Sequence, residues 1–373
     1  MKKVLVLNFG STSTKLALYA EDRQILHKEF HHSSDEMGTP FTLKEIAAAR
    51  KALILRHLKE QGVDLSRLDA VVGRGGLIRP VAGGTYRINE KMVKDLTDCV
   101  YGYHACNLGG ILAADIAGEL GKPAFTVDPP VIDELTDVAR LSGHRDFPRR
   151  PLFHALNARA VARRYAGGRG LRYDGLRLIV AHMGGGVTVS AHRNGRIVDV
   201  NNGLEGEGPY SAERPGALPV LPIVKAVYEG KFGDSYESFR WFFTARCGLI
   251  SYLGTNDGRV VSLRARQGDA DAELAYRGMA YQITKEIGAM SAALCGEVDA
   301  ILLTGGFAHD DMFIGWIEEA VDFIAPVFIY SGENEMLALA QGALRVLRGE
   351  EASSLNSFLI SVEKALVTYS AAG

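Results

Sequence analysis

Charged and polar side chains in this sequence gather where apolar segments end or where helices begin. Two arginines, a lysine, several carboxylates, two histidines and glycine-rich turns form the set, which comprises Asn8, Lys15, Arg74, Asp128, His154, His182, Arg214, Asp257, Gly305 and Glu335. These residue types offer no compelling Ser-His-Asp or Cys-His arrangement for a nucleophile. They suit phosphoryl transfer, which needs positioning and charge neutralisation more than covalent chemistry.

The first candidate site follows the apolar, β-branched run at the start of the chain. That run ends in Asn8 and Gly10, after which four hydroxyl residues, Ser11 to Thr14, lead to Lys15. The glycine lets a ligand approach the backbone, hydroxyl and backbone N–H groups donate hydrogen bonds, and the lysine adds a positive charge. The segment therefore predicts a turn that binds an oligophosphate, although an ordinary β-hairpin turn explains the same residues.

The same order of residues returns 174 positions later, where His182 stands in place of Asn8. The apolar run that ends at His182 is followed by three glycines, Gly184, Gly185 and Gly186. A third glycine-rich turn, Gly305-Gly306, follows another apolar run. Two matching loops at a domain-sized spacing predict an internal duplication, in which one nucleotide is held between two similar halves.

Two common nucleotide-binding motifs do not account for these loops. The sequence has no Gly-x-x-x-x-Gly-Lys-Ser/Thr segment, which excludes a P-loop. The fragments Gly73-x-Gly75 and Gly206-x-Gly208 lack the remaining glycine and the helix context of a dinucleotide-binding loop. The phosphate turns must therefore belong to another nucleotide-binding architecture.

Alternating strands and helices are predicted to position the candidate residues. Apolar periodicity predicts a helix over 43–61 and short buried strands over 69–72 and 124–127. Those strands deliver Arg74 and Asp128 at their carboxyl ends, where ligands of α/β folds collect.

The second half of the chain is predicted to repeat this order. Three strands between 176 and 200 lead to a long polar loop that carries Arg214, and a loop of this length inside a compact domain is usually functional. Helices are predicted over 152–165, with His154 in the first turn, over 271–294 and over 334–348. The tail over 357–369 could form a helix or a strand and is expected to return to the first domain.

Composition places limits on the class of protein. The chain has 373 residues, of which 47% are hydrophobic and 23% charged, and its formal net charge is −2. These values predict a soluble two-domain protein and give no support for nucleic-acid binding. The four cysteines form no Cys-x-x-Cys pair or His-Cys cluster, so neither zinc nor disulfides are expected. No apolar run approaches membrane-spanning length, and a cytoplasmic location is predicted.

The motifs together resemble a known family. The paired loops, Glu205-Gly206, Arg214-x-Gly216 and Gly305-Gly306 are similar to those of the acetate and propionate kinases, within the superfamily of actin, Hsp70 and sugar kinases. The segments 73–80 and 101–107 most resemble butyrate kinases. The resemblance covers essentially the whole chain. It implies two duplicated α/β domains of ribonuclease H-like fold with mixed sheets and an ATP cleft between them, comprising residues 1–152 plus 336–373 and residues 153–335.

The resemblance also implies a role for each candidate residue. It assigns ATP phosphates to the first loop, through Asn8, Ser11, Ser13 and Lys15, and to the second loop, through His182, Gly184, Gly185 and Gly186. It assigns the nucleotide turn to Gly305 and Gly306 and the adenosine side to Asp257 and Arg259. Arg74 and Arg214 correspond to the arginines that hold the acyl carboxylate and the transferring phosphoryl group, and His154 to a histidine that stabilises that group. Asp128 and Glu335 correspond to the Mg²⁺ carboxylates.

The reaction implied is ATP plus a short-chain carboxylic acid, giving ADP and an acyl phosphate. An ionised carboxylate needs no general base, but its approach to a polyanion requires arginines, a histidine and Mg²⁺ to neutralise charge. Two alternatives remain open within the same superfamily. One is an ATP switch that acts on a partner protein, and the other is a sugar kinase in which Asp128 would be the base. The resemblance and several apolar helices predict a homodimer or a larger homo-oligomer.

Three departures from acetate kinases affect these expectations. Acetate kinases usually have asparagine at the position of Gly185 and a second histidine at the position of Ala158, so those roles do not transfer. They also have bulkier apolar residues at the positions of Gly75 and Gly76. Missing side chains there are expected to enlarge an acyl pocket that also includes His104, and since each buried methylene contributes roughly 0.8 kcal/mol, butyrate or isobutyrate is predicted over acetate.

Overall fold

The computed structural model describes residues 1–10, 13–32, 42–233 and 235–352. The chain divides into two compact units, Met1–Ile132 together with the segment from Asn334 onward, and Asp133–Glu333. The chain thus passes between units after 132 and after 333, compared with 152 and 335 in the sequence-based division. The predicted tail element over 357–369 and the candidate Ser11 lie outside the described residues.

The first unit contains a six-stranded mixed sheet. Its strands are β1 (Lys3–Phe9), β2 (Ser13–Ala20), β3 (Arg23–His31), β4 (Ala70–Gly73), β5 (Thr85–Arg87) and β6 (Ala124–Val127). They lie in the order β3-β2-β1-β4-β6-β5, with β1, β4 and β6 parallel and β2, β3 and β5 antiparallel to their neighbours. Its helices are α1 (Leu43–Glu60), α2 (Glu90–Thr97), α3 (Asn107–Glu119) and, from the end of the chain, α11 (Glu335–Leu347).

The second unit contains a five-stranded mixed sheet. Its strands are β7 (Arg177–Met183), β8 (Val187–Arg193), β9 (Arg196–Val200), β10 (Ala300–Gly305) and β11 (Val327–Ser331), in the order β11-β10-β7-β8-β9. The helices are α4 (Ala155–Gly167), α5 (Val220–Tyr228), α6 (Tyr236–Ala245), α7 (Leu249–Leu253), α8 (Gly258–Arg266), α9 (Ala270–Ala293) and α10 (Asp311–Val321).

The two sheets repeat one topology. In each, an antiparallel meander (β1-β2-β3 or β7-β8-β9) is joined by two strands that are parallel to its first strand, and the first sheet adds the antiparallel edge strand β5. The hairpin register pairs Phe9 with Thr14 in the first sheet and Met183 with Val187 in the second, so the second loop is one residue shorter. The predicted α/β class and its internal duplication are confirmed.

Side-chain alternation along the first strand of each sheet decides which helix it packs against. In β1, Leu5 and Leu7 belong to a core with α1 and α3, whereas α11 packs on the other face. In β7, Ile179 and Ala181 belong to a core with α9 and α10, whereas Leu178 and Val180 pack with α4. Because successive strand side chains point to opposite faces, Asn8 lies on the face of α11 and His182 on the face of α4.

Several elements differ from the sequence-based expectations. The strand β5 and the helices α7 and α8 were not predicted, and β5 has three residues, too few for a periodic pattern. The helix α1 begins at a capping box formed by Thr42 and Glu45, which agrees with the start predicted near 43. Within the described ranges, no helix is long and apolar enough to cross a membrane.

Candidate active site

In the first unit, three polar side chains meet at the carboxyl ends of parallel strands. Asn8 at the end of β1 donates through Nδ2 to Glu335 Oε2 at 2.8 Å. Arg74, which directly follows β4, places Nη2 2.9 Å from Glu335 Oε1. Glu335 is the first residue of α11 and is 9% exposed, so its carboxylate is almost fully removed from solvent. The structure therefore brings together Asn8, Arg74 and Glu335, which are far apart in the sequence.

The backbone of Arg74 is fixed by close contact with α3. Its N–H donates to the carbonyl of Leu7 at 2.9 Å, which continues the β1–β4 pairing by one residue. A Cβ added at Gly73 would lie 1.9 Å from the Gly109 carbonyl oxygen, and a Cβ at Gly109 would lie 2.0 Å from the Arg74 carbonyl oxygen. Only glycine permits this approach at both positions, so α3 holds the arginine against the end of the sheet.

Asp128 lies at the same edge, after β6, and its backbone is unusual. The residue has φ 41° and is 2% exposed. Its N–H donates to the Gly84 carbonyl at 3.0 Å, while its Oδ1 accepts from the Gly84 N–H at 2.8 Å. A positive φ costs a non-glycine residue of order 1–3 kcal/mol and is often found at functional sites. These two hydrogen bonds fix the Asp128 carboxylate at the strand end.

The first loop is braced by a buried arginine of α1. Arg50 donates through Nη1 to the carbonyls of Gly10 at 3.0 Å and Ser13 at 3.3 Å, and it is 5% exposed. The Gly10 N–H donates to the Ser13 carbonyl at 3.0 Å, which closes the turn. Lys15 lies on β2 and pairs with Glu29 at 3.4 Å. Arg50 thus satisfies the carbonyl oxygens of Gly10 and Ser13 and holds the described ends of this loop together.

The prediction that Gly75 and Gly76 enlarge an acyl pocket is wrong. A Cβ at Gly75 would lie 2.7 Å from both Thr126 Oγ1 and Pro129 Cβ, and a Cβ at Gly76 would lie 2.6 Å from Asn107 Cα. Both glycines are buried and point into packed protein rather than into an open cavity. They allow close packing of β4 against its neighbours, and they do not enlarge an acyl pocket.

This packing makes Gly76→Val a stability variant. Leu96 Cδ2 also lies 2.6 Å from the Cβ position, so valine must displace both a side chain and the α3 backbone. We expect a loss of about 3 kcal/mol, measured as a lower urea midpoint, without a shift in acid preference. Gly118→Val is the matched control, because nothing lies within 4 Å of its Cβ position. Equal urea midpoints for Gly76→Val and wild type would contradict the packing.

His104, the third residue of the predicted acyl pocket, lies beside Cys106. Its Nδ1 accepts from the Cys106 N–H at 3.2 Å and lies 2.9 Å from the thiol sulfur. Burial raises the pKa of Cys106 to about 11, and the charges of Arg74 and Glu335 also act on it. The thiol is therefore protonated near neutral pH and lies close to the cluster that Arg74 and Glu335 form.

In the second unit, His182 at the end of β7 belongs to a buried polar network. Its Nδ1 is 2.8 Å from Asn157 Nδ2, which is also 3.2 Å from Thr304 Oγ1. Thr304 donates in turn to the Gly332 carbonyl at 3.1 Å. Glu333 Oε1 lies 3.1 Å from His182 Nε2, but without hydrogen-bond geometry. His182 is 1% exposed, so its Nε2 is a buried ring nitrogen at the start of the second loop.

His154 is stacked on His182. The ring centroids are 3.8 Å apart with an interplanar angle of 14°, and His154 Nδ1 contacts Thr188 Oγ1 at 3.1 Å. His154 is the N-cap of α4, which begins at Ala155, so the helix starts three positions later than the predicted 152 and His154 lies just before its first turn. The two histidines predicted for phosphate binding and catalysis therefore stack directly on each other.

Arg214 lies against the second loop. Its Nη1 donates to the Gly203 carbonyl at 2.9 Å, and a Cβ at Gly186 would lie 1.8 Å from the same Nη1. Burial lowers the pKa of Arg214, and the neighbouring Glu213 opposes this shift. In the part of the chain that the structure describes, no carboxylate lies within ion-pair distance of this guanidinium and its buried Nε has no partner. Arg214 is thus a partly desolvated cation suited to an anionic ligand.

The Gly305-Gly306 turn, which is predicted to bind the nucleotide, packs on the second loop. Gly305 has φ 94°, and a Cβ there would lie 2.3 Å from the Met183 carbonyl oxygen. Gly306 starts a 3₁₀ turn in open surroundings. A Cβ at Gly258 would lie 2.4 Å from the Phe307 ring, so the start of α8 adjoins this turn.

The predicted adenosine-side pair caps that helix. Asp257 is the N-cap of α8 and accepts from the Arg259 guanidinium at 2.7 and 3.0 Å. These bonds lower the pKa of Asp257 to about 2. The pair is therefore ionised and adjoins the Gly305-Gly306 turn.

Two groups of polar side chains suited to anions result, one in each unit. The first contains Arg74 paired with Glu335, with Asp128 at the same edge of the sheet, and the second contains two histidines, an arginine and two glycine-rich turns. Such groups can neutralise and orient anions. Sequence reasoning did not find Arg50, Asn157 or Glu333, because their contacts are with residues distant in sequence. It also did not find Cys106, whose contact is with His104, two residues away.

The chain is similar to known proteins over most of its length. The sequence profile of the acetokinase family matches residues 145–363. The chain is 48% identical over 351 residues to butyrate kinase 1 of Clostridium acetobutylicum, covering 94% of this chain and 98% of that protein. It is 48% identical over 353 residues to a probable butyrate kinase of Clostridium botulinum, covering 95% and 99%.

A solved structure shows the same fold. The crystal structure of acetate kinase from Porphyromonas gingivalis superimposes with a TM-score of 0.77, at 20% identity, over 93% of this chain and 100% of that chain. The predicted resemblance is confirmed by the profile match and by near full-length identity to named relatives. This chain belongs to the acetokinase family.

Proposed function

We propose that this protein transfers the γ-phosphoryl group of ATP to the carboxylate of butyrate or a close relative, reversibly and in one step, giving ADP and an acyl phosphate. The observation that carries the proposal is the near full-length identity to proteins named butyrate kinases. The choice of butyrate rests on those relatives, because Gly75 and Gly76 no longer support a wider pocket.

Arg74 is the residue best suited to the acid. A guanidinium has five N–H donors in a planar fork that matches a carboxylate. Within the described ranges, Arg74 engages one carboxylate, that of Glu335 through Nη2, and its fork retains donors for a second. An ionised short-chain acid bound there needs no base, since its oxygen is already the attacking anion.

The second unit supplies donors to the phosphoryl group. Arg214 is a partly buried cation without a carboxylate partner among the described residues, and the stacked His154 and His182 lie beside the second loop. Fixed donors of this kind act where charge develops during transfer and need no reorganisation. They would hold the three equatorial oxygens of the group in flight.

The residues proposed for Mg²⁺ fit that ion. Mg²⁺ prefers oxygen ligands and is usually bound by one or two carboxylates, with water and substrate phosphates completing the shell. Asp128 and Glu335 provide two carboxylates at one edge of the first sheet, and hydrogen bonds hold both in place. When bound, Mg²⁺ would neutralise the phosphate charge that repels the incoming acid.

An acyl-phosphate assay tests the proposal. Purified protein with Mg-ATP is incubated with acids of two to six carbons and branched isomers, and acyl phosphate is trapped with hydroxylamine. We expect the fastest trapping with butyrate or isobutyrate. Glucose replaces the acid as a control for sugar phosphorylation, and a no-acid reaction measures ATP hydrolysis. ADP formation that is independent of every acid would contradict the proposal and favour an ATP switch.

We also propose that two copies associate through α5. None of its residues is buried, and Val220, Leu221 and Tyr228 are 69%, 79% and 89% exposed. A nine-residue helix is marginal unless its apolar face packs against something, and Lys225 is the one charged residue that α5 carries. A second copy of the chain presents the same exposed apolar residues of α5, and it therefore matches this surface better than a charged partner does.

Leu221→Asp is expected to shift the protein from dimer to monomer. The substitution places a charge at the one leucine of α5, which is 79% exposed. Light scattering at micromolar concentration gives the mass directly. Leu171→Asp, at an isolated exposed leucine, is the control and should keep the wild-type mass. A monomeric wild type, or an unchanged dimer in Leu221→Asp, would contradict the α5 interface.

A further inference from the structure

We propose that Asn157 is a positioning residue that fixes His182 as an Nε2–H donor toward the phosphates of the bound nucleotide. The inference rests on the proposed function, since it gives His182 a phosphate to bind. It adds a residue that sequence reasoning did not identify and that does not itself contact the ligand in this arrangement.

The donor and acceptor of each hydrogen bond between His182, Asn157 and Thr304 can be assigned by starting from the Gly332 carbonyl. The Gly332 carbonyl can only accept, so the single hydroxyl proton of Thr304 is used in the 3.1 Å bond to it. Thr304 Oγ1 must then accept from Asn157 at 3.2 Å, which places the amide nitrogen on that side. The same nitrogen lies 2.8 Å from His182 Nδ1, and because it can only donate, Nδ1 accepts.

The proton of a neutral His182 is therefore on Nε2. That atom is buried and has no hydrogen-bond partner in the described ranges, although Glu333 lies 3.1 Å away. It also lies 3.2 Å from the Cβ position of Gly184, at the entrance of the second loop. A buried donor without a partner is costly, and an anionic oxygen in this loop would satisfy it.

The opposite tautomer would work against binding. With the proton on Nδ1, the Nε2 lone pair would face phosphate oxygens and repel them. The ring cannot turn freely to compensate, because His154 is stacked on it at 3.8 Å. The asparagine, which is 2% exposed and lies in the first turn of α4, excludes this state.

Asn157→Asp reverses the polarity at Nδ1. The carboxylate introduced at position 157 accepts a hydrogen bond from Nδ1–H. A neutral His182 then carries its single proton on Nδ1 and none on Nε2, whereas the imidazolium carries a proton on each nitrogen. We expect KM for Mg-ATP to rise at least tenfold at pH 8 and to recover as the pH falls toward 6, with kcat changing less. The other titratable groups facing His182 are His154 and Glu333, so the wild-type profile measured in parallel is the reference.

Thr304 variants provide an independent measurement. Thr304→Val removes the hydroxyl that orients the amide, and it should raise KM for Mg-ATP more than Thr304→Ser, which keeps the hydroxyl. If Asn157→Asp does not fold, this pair still tests the network. Equal KM values in Thr304→Val and Thr304→Ser would overturn the proposal.

The tautomer can be observed directly in the ATP-free wild type. Nitrogen-15 spectra of histidine-labelled protein, with His182 assigned from the His182→Gln variant, should show a protonated Nε2 and an unprotonated Nδ1 at pH 8. A protonated Nδ1 would overturn the proposal whatever the activity. Failure of the wild type to form acyl phosphate would instead count against the proposed function, so the two failures are distinguishable.

Discussion

Arg74→Gln is expected to lower kcat/KM for the acid by about 10³-fold, measured by hydroxylamine trapping at saturating Mg-ATP. The guanidinium lies at the end of β4, half-buried and 2.9 Å from the Glu335 carboxylate. Removing its charge leaves two anions to approach each other without neutralisation and leaves the buried Glu335 carboxylate without its cation. Loss of one preorganised donor alone typically costs 10²–10³-fold in rate, and here the charge is lost as well.

Arg74→Lys tests the positive charge of this side chain separately from the planar geometry of its guanidinium. Lysine keeps the positive charge but cannot bind two carboxylates through a planar fork, so we expect an intermediate loss of about 10²-fold. Arg348→Gln is the matched control, because it removes another arginine–carboxylate pair of the same unit, with Glu21, at the far end of α11. The control should retain activity. A tenfold or smaller loss in Arg74→Gln would contradict its role at the acid.

The cluster around Arg74 was predictable because ligands of α/β proteins bind at the carboxyl ends of parallel strands. Asn8, Arg74 and Asp128 each follow an apolar run, and the parallel order of β1, β4 and β6 places the ends of such runs at one edge. The duplication was visible for a similar reason, since both hairpins have the same alternation and turn chemistry. Sequence patterns therefore identified the strand ends and the residues that follow them.

Contacts that depend on tertiary packing were not predictable in this way. The sequence shows Gly75 and Gly76 as missing side chains, but not that Pro129 and Asn107 occupy the space. Asn157 looks like any polar residue in a helix until β7 and β10 bring His182 and Thr304 beside it. Glycine has two opposite meanings, open space or close packing, and only the neighbouring atoms decide between them.

At Gly186, too, the missing side chain leaves room for neighbouring atoms, here those of Arg214, and a substitution is expected to change the reaction rate. Gly186→Ala is expected to lower kcat about 10²-fold while the melting temperature changes by only a few degrees. Its Cβ would lie 1.8 Å from Arg214 Nη1, so the guanidinium must leave its position on the Gly203 carbonyl. The backbone itself accepts alanine, since φ at Gly186 is not in the left-handed region. Loss of a preorganised cation reduces the rate by this magnitude.

A double-mutant cycle with Arg214→Met distinguishes this cause from damage to the loop. If alanine acts by displacing the guanidinium, Gly186→Ala has little further effect once Arg214 is methionine, and the two losses are not multiplicative. Gly185→Ala tests the loop itself, because the atoms nearest its Cβ position are 3.6 Å away, and its loss should be much smaller. Losses that multiply in the double variant would show that alanine perturbs the phosphate-binding backbone and not Arg214.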